Sequence, residues 1–186
     1  MKRKIISHSL LSVNGIVPDD PHGVGFGDYW DDEAYLRDNL GLFEACDAIL
    51  FGRATYEIFA KIWAGVKDGT HPYAARVNAI RKYVFSSTLE HADWNNTTII
   101  RGDVVAEVTK LKQQDGGYLL VFGNGLLGRT LLKHQLNDVL NLDVHPVMLN
   151  DGRSFSCEGQ ALKLKLTTTK VFSNIVKLSY ATQGSP

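Results

Sequence analysis

Little in this chain marks it for a membrane, for secretion or for nucleic acid. Its 186 residues include two cysteines, Cys46 and Cys157, with no paired spacing. A disulfide framework is therefore not expected, and a reducing cytoplasm is the expected location. No apolar run approaches the about 20 residues needed to span a bilayer. The basic start Met1-Lys2-Arg3-Lys4 leads into Ile5 to Leu11, whose histidine and serines suit a first β-strand rather than a signal peptide. Formal net charge is 0 and no basic block stands out, so neither nucleic acid nor an anionic membrane surface is expected as partner. His8, His22, His71, His91, His134 and His145 show no ligand spacing, so no metal is expected. A Gly-x-Ser-x-Gly elbow is absent, which removes the foothold for serine-hydrolase chemistry. There is no internal repeat, low-complexity tract or linker. With 44% hydrophobic and 22% charged residues, residues 1–186 read as one soluble domain.

What stands out is Gly123-Asn124-Gly125-Leu126-Leu127-Gly128, directly after the apolar run Tyr118 to Phe122. A strand enters a glycine-rich turn and a helix leaves it. Glycines let a backbone approach a pyrophosphate, and a helix N-terminus offers N–H donors and the positive end of its dipole. Asp143 even follows at the spacing of a ribose-binding acid in a dinucleotide fold. A Rossmann fingerprint, however, opens a run of βαβ units. Here the segments after the next strand, Leu162 to Phe172 and Asn174 to Ala181, read as strands with no helix between them. The turn is expected to hold phosphate on a different α/β scaffold.

The rest of the chain supplies that scaffold. Strands are expected at Lys4 to Leu11, Ala48 to Phe51, Lys82 to Phe85, Thr98 to Ile100, Tyr118 to Phe122 and Asp138 to Val144. Helices are expected at Trp30 to Ala45, Ala54 to Trp63, His71 to about Ile80, Val104 to Gln113 and Leu126 to His134. The last two strands pair through a tight turn near Ser173-Asn174. Strand–helix alternation followed by a hairpin predicts one mixed sheet flanked by helices. Asp138 to Leu149 is more apolar than one sheet face requires, which points to a surface buried against a second copy.

Two further strand ends carry candidate ligands. Phe51-Gly52-Arg53-Ala54-Thr55 repeats the strand–glycine–helix junction, offering a guanidinium, a hydroxyl and free N–H groups to a phosphate. Thr55 serves equally well as a helix cap and Arg53 as a surface charge. Ser86-Ser87 ends another strand, a place where serines are usually turn formers. In α/β sheets, ligands gather at the carboxyl ends of strands. Three such ends together predict an extended phosphate-bearing ligand such as a dinucleotide. Pro18 to Trp30 reads as a glycine-rich loop and substrate lid, with Tyr29 and Trp30 either stacking on a planar ring or anchoring the loop.

These motifs carry a family resemblance. Gly52-Arg53-x-Thr55-x-Glu57 resembles the cofactor motif of dihydrofolate reductases. Ser12-Val13-Asn14-Gly15-Ile16-Val17, Gly123-x-Gly125-x-Leu127 and the segment from Asp138 to Leu149 resemble, in that order, motifs of the riboflavin-biosynthesis deaminase-reductase C-terminal domain. The resemblance implies a dihydrofolate-reductase-like α/β/α fold: a mixed, mostly parallel sheet ending in an antiparallel hairpin. It implies NADPH-dependent reduction of a small heterocycle such as an aminopyrimidine, and a homodimer. Together with the strand-end reading, it assigns the cofactor to Asn14, Gly15, Gly52, Arg53, Thr55, Ser86, Ser87, Gly123, Asn124, Gly125, Leu126 and Leu127. The chain departs from the pattern at Asn14, where relatives carry aspartate, and at Asn124, where many carry glycine. A folate reductase also keeps an acid on its first helix, near the position of Leu36 here. Asp31, Asp32, Glu33 and Asp38 flank that position without matching it, so weak dihydrofolate reduction is expected. Dihydrofolate reductase and a non-catalytic nucleotide-binding dimer remain the alternatives.

Overall fold

The structure is a computed structural model and describes residues 2–18, 26, 32–156 and 161–182. Its elements run in the order β1 (Ile5–Ser12), β2 (Ile16–Val17), α1 (Glu33–Ala45), β3 (Cys46–Gly52), α2 (Arg53–Trp63), α3 (Ala74–Ala79), β4 (Arg81–Phe85), β5 (Thr97–Ile100), α4 (Val104–Gln113), β6 (Tyr118–Phe122), α5 (Leu126–Lys133), β7 (Val139–His145), β8 (Arg153–Ser154), β9 (Leu164–Phe172) and β10 (Ile175–Thr182). Eight strands form one sheet in the order β5-β4-β3-β6-β1-β7-β10-β9. All neighbours are parallel except β7–β10 and β10–β9. β2 and β8 pair separately, antiparallel.

Strand alternation divides the side chains between two helical layers. Ile6, Ile49, Phe51, Val84 and Leu120 pack under α1, α2 and α3 through Phe43, Tyr56, Trp63 and Val77. Ile5, Ala48, Leu50, Leu119 and Val121 pack under α4 and α5 through Val108, Leu111, Leu127 and Leu131. The central strands are covered on both faces, which explains their near-continuous apolar runs. The helices begin where their chemistry directs. Asp32 caps α1 by accepting from the Tyr35 amide at 3.0 Å, and Asp103 caps α4 by accepting from that of Ala106 at 2.7 Å. α2 and α5 start at Gly52 and Gly125 with no side-chain cap.

The expected architecture stands, with three local differences. α3 is shorter than the sequence predicts, because His71 Nδ1 accepts the Tyr73 amide at 3.1 Å and the chain turns there before the helix begins. β2 and β8, two residues each, carry no periodicity that sequence could register. β7 lies inside the sheet between β1 and β10, so the apolar residues of Val139–His145 are covered within one chain, whereas Met148 beyond it is exposed. The strand itself therefore does not need a second copy to cover it.

Candidate functional site

A cavity opens at the carboxyl ends of β1 and β6, between α1 and α2. β1 contributes His8 and Leu10, and the end of β6 contributes Phe122 and the turn Gly123-Asn124-Gly125. α1 lines it with Tyr35, Leu36, Asn39 and Phe43, and α2 with Thr55, Ile58 and Phe59. Val17, Pro18 and Arg153 also line it.

The glycine turn is built by close approach. Gly123 has φ +70°, a left-handed conformation that favours glycine. Its amide donates to the His8 carbonyl at 2.9 Å, tying the turn to β1. A Cβ on Gly128 would lie 2.7 Å from the Gly123 carbonyl oxygen, so only glycine lets α5 settle onto the turn. In contrast, a Cβ on Gly123 would meet nothing within 4 Å, and one on Gly125 only Thr55 Oγ1 at 4.0 Å. These glycines leave an open cradle. A Cβ on Gly52 would lie 3.6 Å from the Leu127 Cβ. The N-termini of α2 and α5 therefore adjoin, and the amides of both uncapped first turns are left for solvent or an anion.

The sequence-derived residues divide by position. Thr55, Gly123, Asn124 and Gly125 line the cavity, whereas Gly52, Arg53, Leu126 and Leu127 surround it at the two helix starts. Arg53, half exposed, donates to Glu57 at 2.7 Å and to Thr88 at 2.8 Å. Ser86 Oγ accepts from the amides of Thr88 and Leu89, which makes it a turn former, and Ser87 is exposed beside it. Asn14 Oδ1 accepts from Ser12 Oγ at 2.7 Å, while its Nδ2 donates to the Leu149 carbonyl at 2.8 Å. With Gly15 at φ +77°, Asn14 ties the β1 turn to the segment after β7, outside the cavity wall. Asn124, buried, donates to the Ser156 carbonyl at 2.8 Å. Tyr29 and Trp30 lie outside the described residues.

A buried polar cluster behind the cavity wall escaped the sequence reading. Asp143, on β7, is fully buried. Its Oδ2 accepts from the Tyr35 hydroxyl at 2.7 Å and lies 3.5 Å from His8 Nε2 and 3.6 Å from Lys177 Nζ. Lys177, on β10, donates to Asp38 and Asn39 of α1 at 2.7 Å each, and Lys170 of β9 also pairs with Asp38. Burial pushes the Asp38 carboxyl up, but the two lysines outweigh it and hold the group below its ordinary value. Burial lowers the His8 imidazole to about 4 against the pull of Asp143, so the ring is neutral at pH 7. Burial, and then the Asp143 charge, push the Tyr35 phenol upward. Asp143 is thus an internal anchor rather than a ribose ligand. The signal was present in β7, where Asn141, Asp143 and His145 alternate with Leu140, Leu142 and Val144. Polar residues at every second position of a buried strand mark one face as a polar site.

Known proteins share this architecture. Protein YyaP of Bacillus subtilis (strain 168) is 29% identical over 145 residues, covering 74% of this chain and 75% of its own. A putative riboflavin biosynthesis protein from Shewanella sp. PV-4 superposes with a TM-score of 0.73 at 17% identity, covering 98% of this chain and 99% of its own. Dihydrofolate reductase from Enterococcus faecalis, complexed with NADP(H), superposes with a TM-score of 0.63 at 12% identity, again covering 98% and 99%. The fold is therefore that of dihydrofolate reductase. The model of the RibD C-terminal domain matches residues 3–178, and the chain belongs to that family.

Proposed function

We propose that this protein is a cytoplasmic, NADPH-dependent oxidoreductase that reduces a small heterocycle of the aminopyrimidine type. The observation that carries the reading is the junction of two uncapped helix starts at the mouth of a mostly apolar cavity, with glycine cradles that a Cβ would fill. Those features fit a dinucleotide. Gly123, Asn124, Gly125 and the first turn of α5 at Leu126 and Leu127 would hold the pyrophosphate. Gly52, Arg53 and Thr55, with Ser86 and Ser87 nearby, would hold the adenosine phosphate, and Asn14 and Gly15 would border the nicotinamide side. The bound cofactor supplies hydride, while the chain orients the reactants and excludes water. The solved dihydrofolate reductase with NADP(H) and the riboflavin-type relative support this reading.

The cavity also bears on the choice between heterocycle and folate. Among the described residues, no carboxylate lines it, and α1 presents Leu36 and Asn39 where a folate reductase needs an acid. Dihydrofolate turnover below about 10⁴ M⁻¹s⁻¹ is expected, the low end for dedicated enzymes. A homodimer belongs to the same reading, using the exposed Leu166 and Val171 of the edge strand β9. A monomer mass in light scattering at all concentrations would exclude it.

Fluorescence titration with NADPH and NADH tests the cofactor site. NADPH should bind about 5- to 100-fold more tightly than NADH, the scale of a charged hydrogen bond. Arg53→Ala should remove the preference. Gly125→Val should block both cofactors in a folded protein, because its side chain would enter the open cradle. Equal affinities in the wild type, or unchanged binding in Gly125→Val, would overturn the assignment.

A further inference from the structure

His8 combines three properties at the cavity wall. It is buried, it lines the cavity, and its Nδ1 has no hydrogen-bond partner among the described residues. A buried acceptor or donor without a partner costs stability, so native chains keep one where a ligand or water completes it. Its other nitrogen, Nε2, faces the Asp143 carboxylate at 3.5 Å. A carboxylate at that nitrogen favours the tautomer with the proton on Nε2, which leaves a lone pair on Nδ1.

The surroundings fix that state. Asp143 is itself held by the Tyr35 hydroxyl and by Lys177. The charges of Asp143, Lys177, Asp38 and Lys170 balance within the cluster, so the cluster adds no net charge behind the wall. Toward the cavity, the ring meets Phe122 edge-on at 5.6 Å, and Phe122 packs against Phe43 at 5.5 Å and Phe59 at 4.8 Å. Flat aromatic and aliphatic walls beside one acceptor describe a slot for a planar ring.

We propose that His8 selects the substrate, accepting through Nδ1 a hydrogen bond from an N–H of an uncharged planar heterocycle seated between α1 and α2. Asp143 acts as a positioning residue by holding the tautomer. The proposal rests on the reductase reading for the slot's purpose, and it requires no cofactor for its test. The neutral imidazole at physiological pH agrees with an acceptor role.

Binding of two fluorescent probes to the cofactor-free protein tests it: lumazine, which carries ring N–H donors, and 1,3-dimethyllumazine, which has none. Wild type should bind lumazine at least about tenfold more tightly, the scale on which a site built for a hydrogen bond rejects an analogue lacking it. His8→Leu should bind the two within about twofold of each other, and His8→Gln, which retains an acceptor, should restore a preference. In wild type, side-chain ¹⁵N NMR at pH 7 should show Nδ1 unprotonated and its signal moving when lumazine is added. Equal affinities in wild type, a preference that persists in His8→Leu, or a protonated Nδ1 would overturn the proposal. The NMR and wild-type binding measurements stand even where His8→Leu does not fold. Discrimination between lumazines without NADPH binding would sink the reductase reading and leave His8 as the selector. NADPH binding without that discrimination would do the reverse.

Discussion

Lys82 and Lys177 are both buried, in very different company. Lys82, on β4, donates to the carbonyls of Ile80, Asn78 and Asn95 and sits 4.3 Å from the ring centroid of Trp94. Among the described residues, no carboxylate is one of its hydrogen-bond partners. Lys177, on β10, lies among Asp38, Asn39 and Asp143, directly behind the cavity wall. Both arrangements satisfy an ammonium, so burial of charge alone does not mark a site. The difference lies in the neighbours. The Lys82 nest is closed and stitches the end of α3 to the strand and loop beside it. The Lys177 cluster ends at a ring nitrogen on an open cavity.

The largest expected effect separates the two nests by stability. Lys177→Met leaves the buried Asp143 without its cation and Asp38 with Lys170 alone, and should cost about 3–5 kcal/mol, as when one partner of a buried pair is removed. Lys82→Met leaves only carbonyls short of a donor and should cost about 1–3 kcal/mol. Urea denaturation of both variants decides the matter, and equal losses would break the comparison. The next effect is acid sensitivity on the Lys177 side. Native His8 protonates near 4 and the unfolded ring near 6.5. Between those values the unfolded chain holds more protons, so stability falls as pH drops from about 6.5 to 4. His8→Leu should lose that share of the slope, on the order of 3 kcal/mol across the window. His145, also lowered to about 4 by burial, titrates in both proteins and is relieved of the His8 charge in the variant, which reduces its own share of the slope. The smallest effect is alkaline and belongs to Lys82. Burial lowers its ammonium to about 8 from 10.5. Between those values the unfolded chain again holds more protons, so stability rises with pH. The rise should be about 1 kcal/mol or less, because the carbonyls and the Trp94 face favour the charged form. Thermal melts of wild type and Lys82→Met from pH 8 to 10.5 check it.

Most of the scaffold was legible because its signals are local. Runs such as Ala48 to Phe51 and Tyr118 to Phe122 announce buried strands. Glycine turns were legible for the same reason, since left-handed φ at Gly123 depends on a single residue. The polar cluster was not, because it is assembled by register. His8 stands opposite Asn141, and Leu10 opposite Asp143, only once β1 and β7 align. Asp143 meets Lys177 only through the β7–β10 pairing. Nothing near Lys177 in sequence betrays that pairing, and the segment from Asp138 to Leu149 was read by its apolar residues rather than by their parity. The absence of a matching acid on the first helix has a related reason. A buried carboxylate held by a cavity-lining residue is Asp143, on a strand, and α1 supplies Tyr35 to hold it.

The ion pair between Lys177 and Asp38 also orders events in time. Its partners are 139 residues apart, so nothing local brings them together, and closing so long a loop comes early only at high entropic cost. The sheet closes a comparably long loop where β1 meets β7, and with those strands aligned the clasp needs little further closure, so the helix that walls the cavity is expected to be clasped late. A contact formed late belongs to the unfolding side of the barrier. Lys177→Met should then unfold faster than wild type while folding at nearly the same rate, which stopped-flow measurements resolve. A matching drop in the folding rate would place the clasp in the nucleus instead.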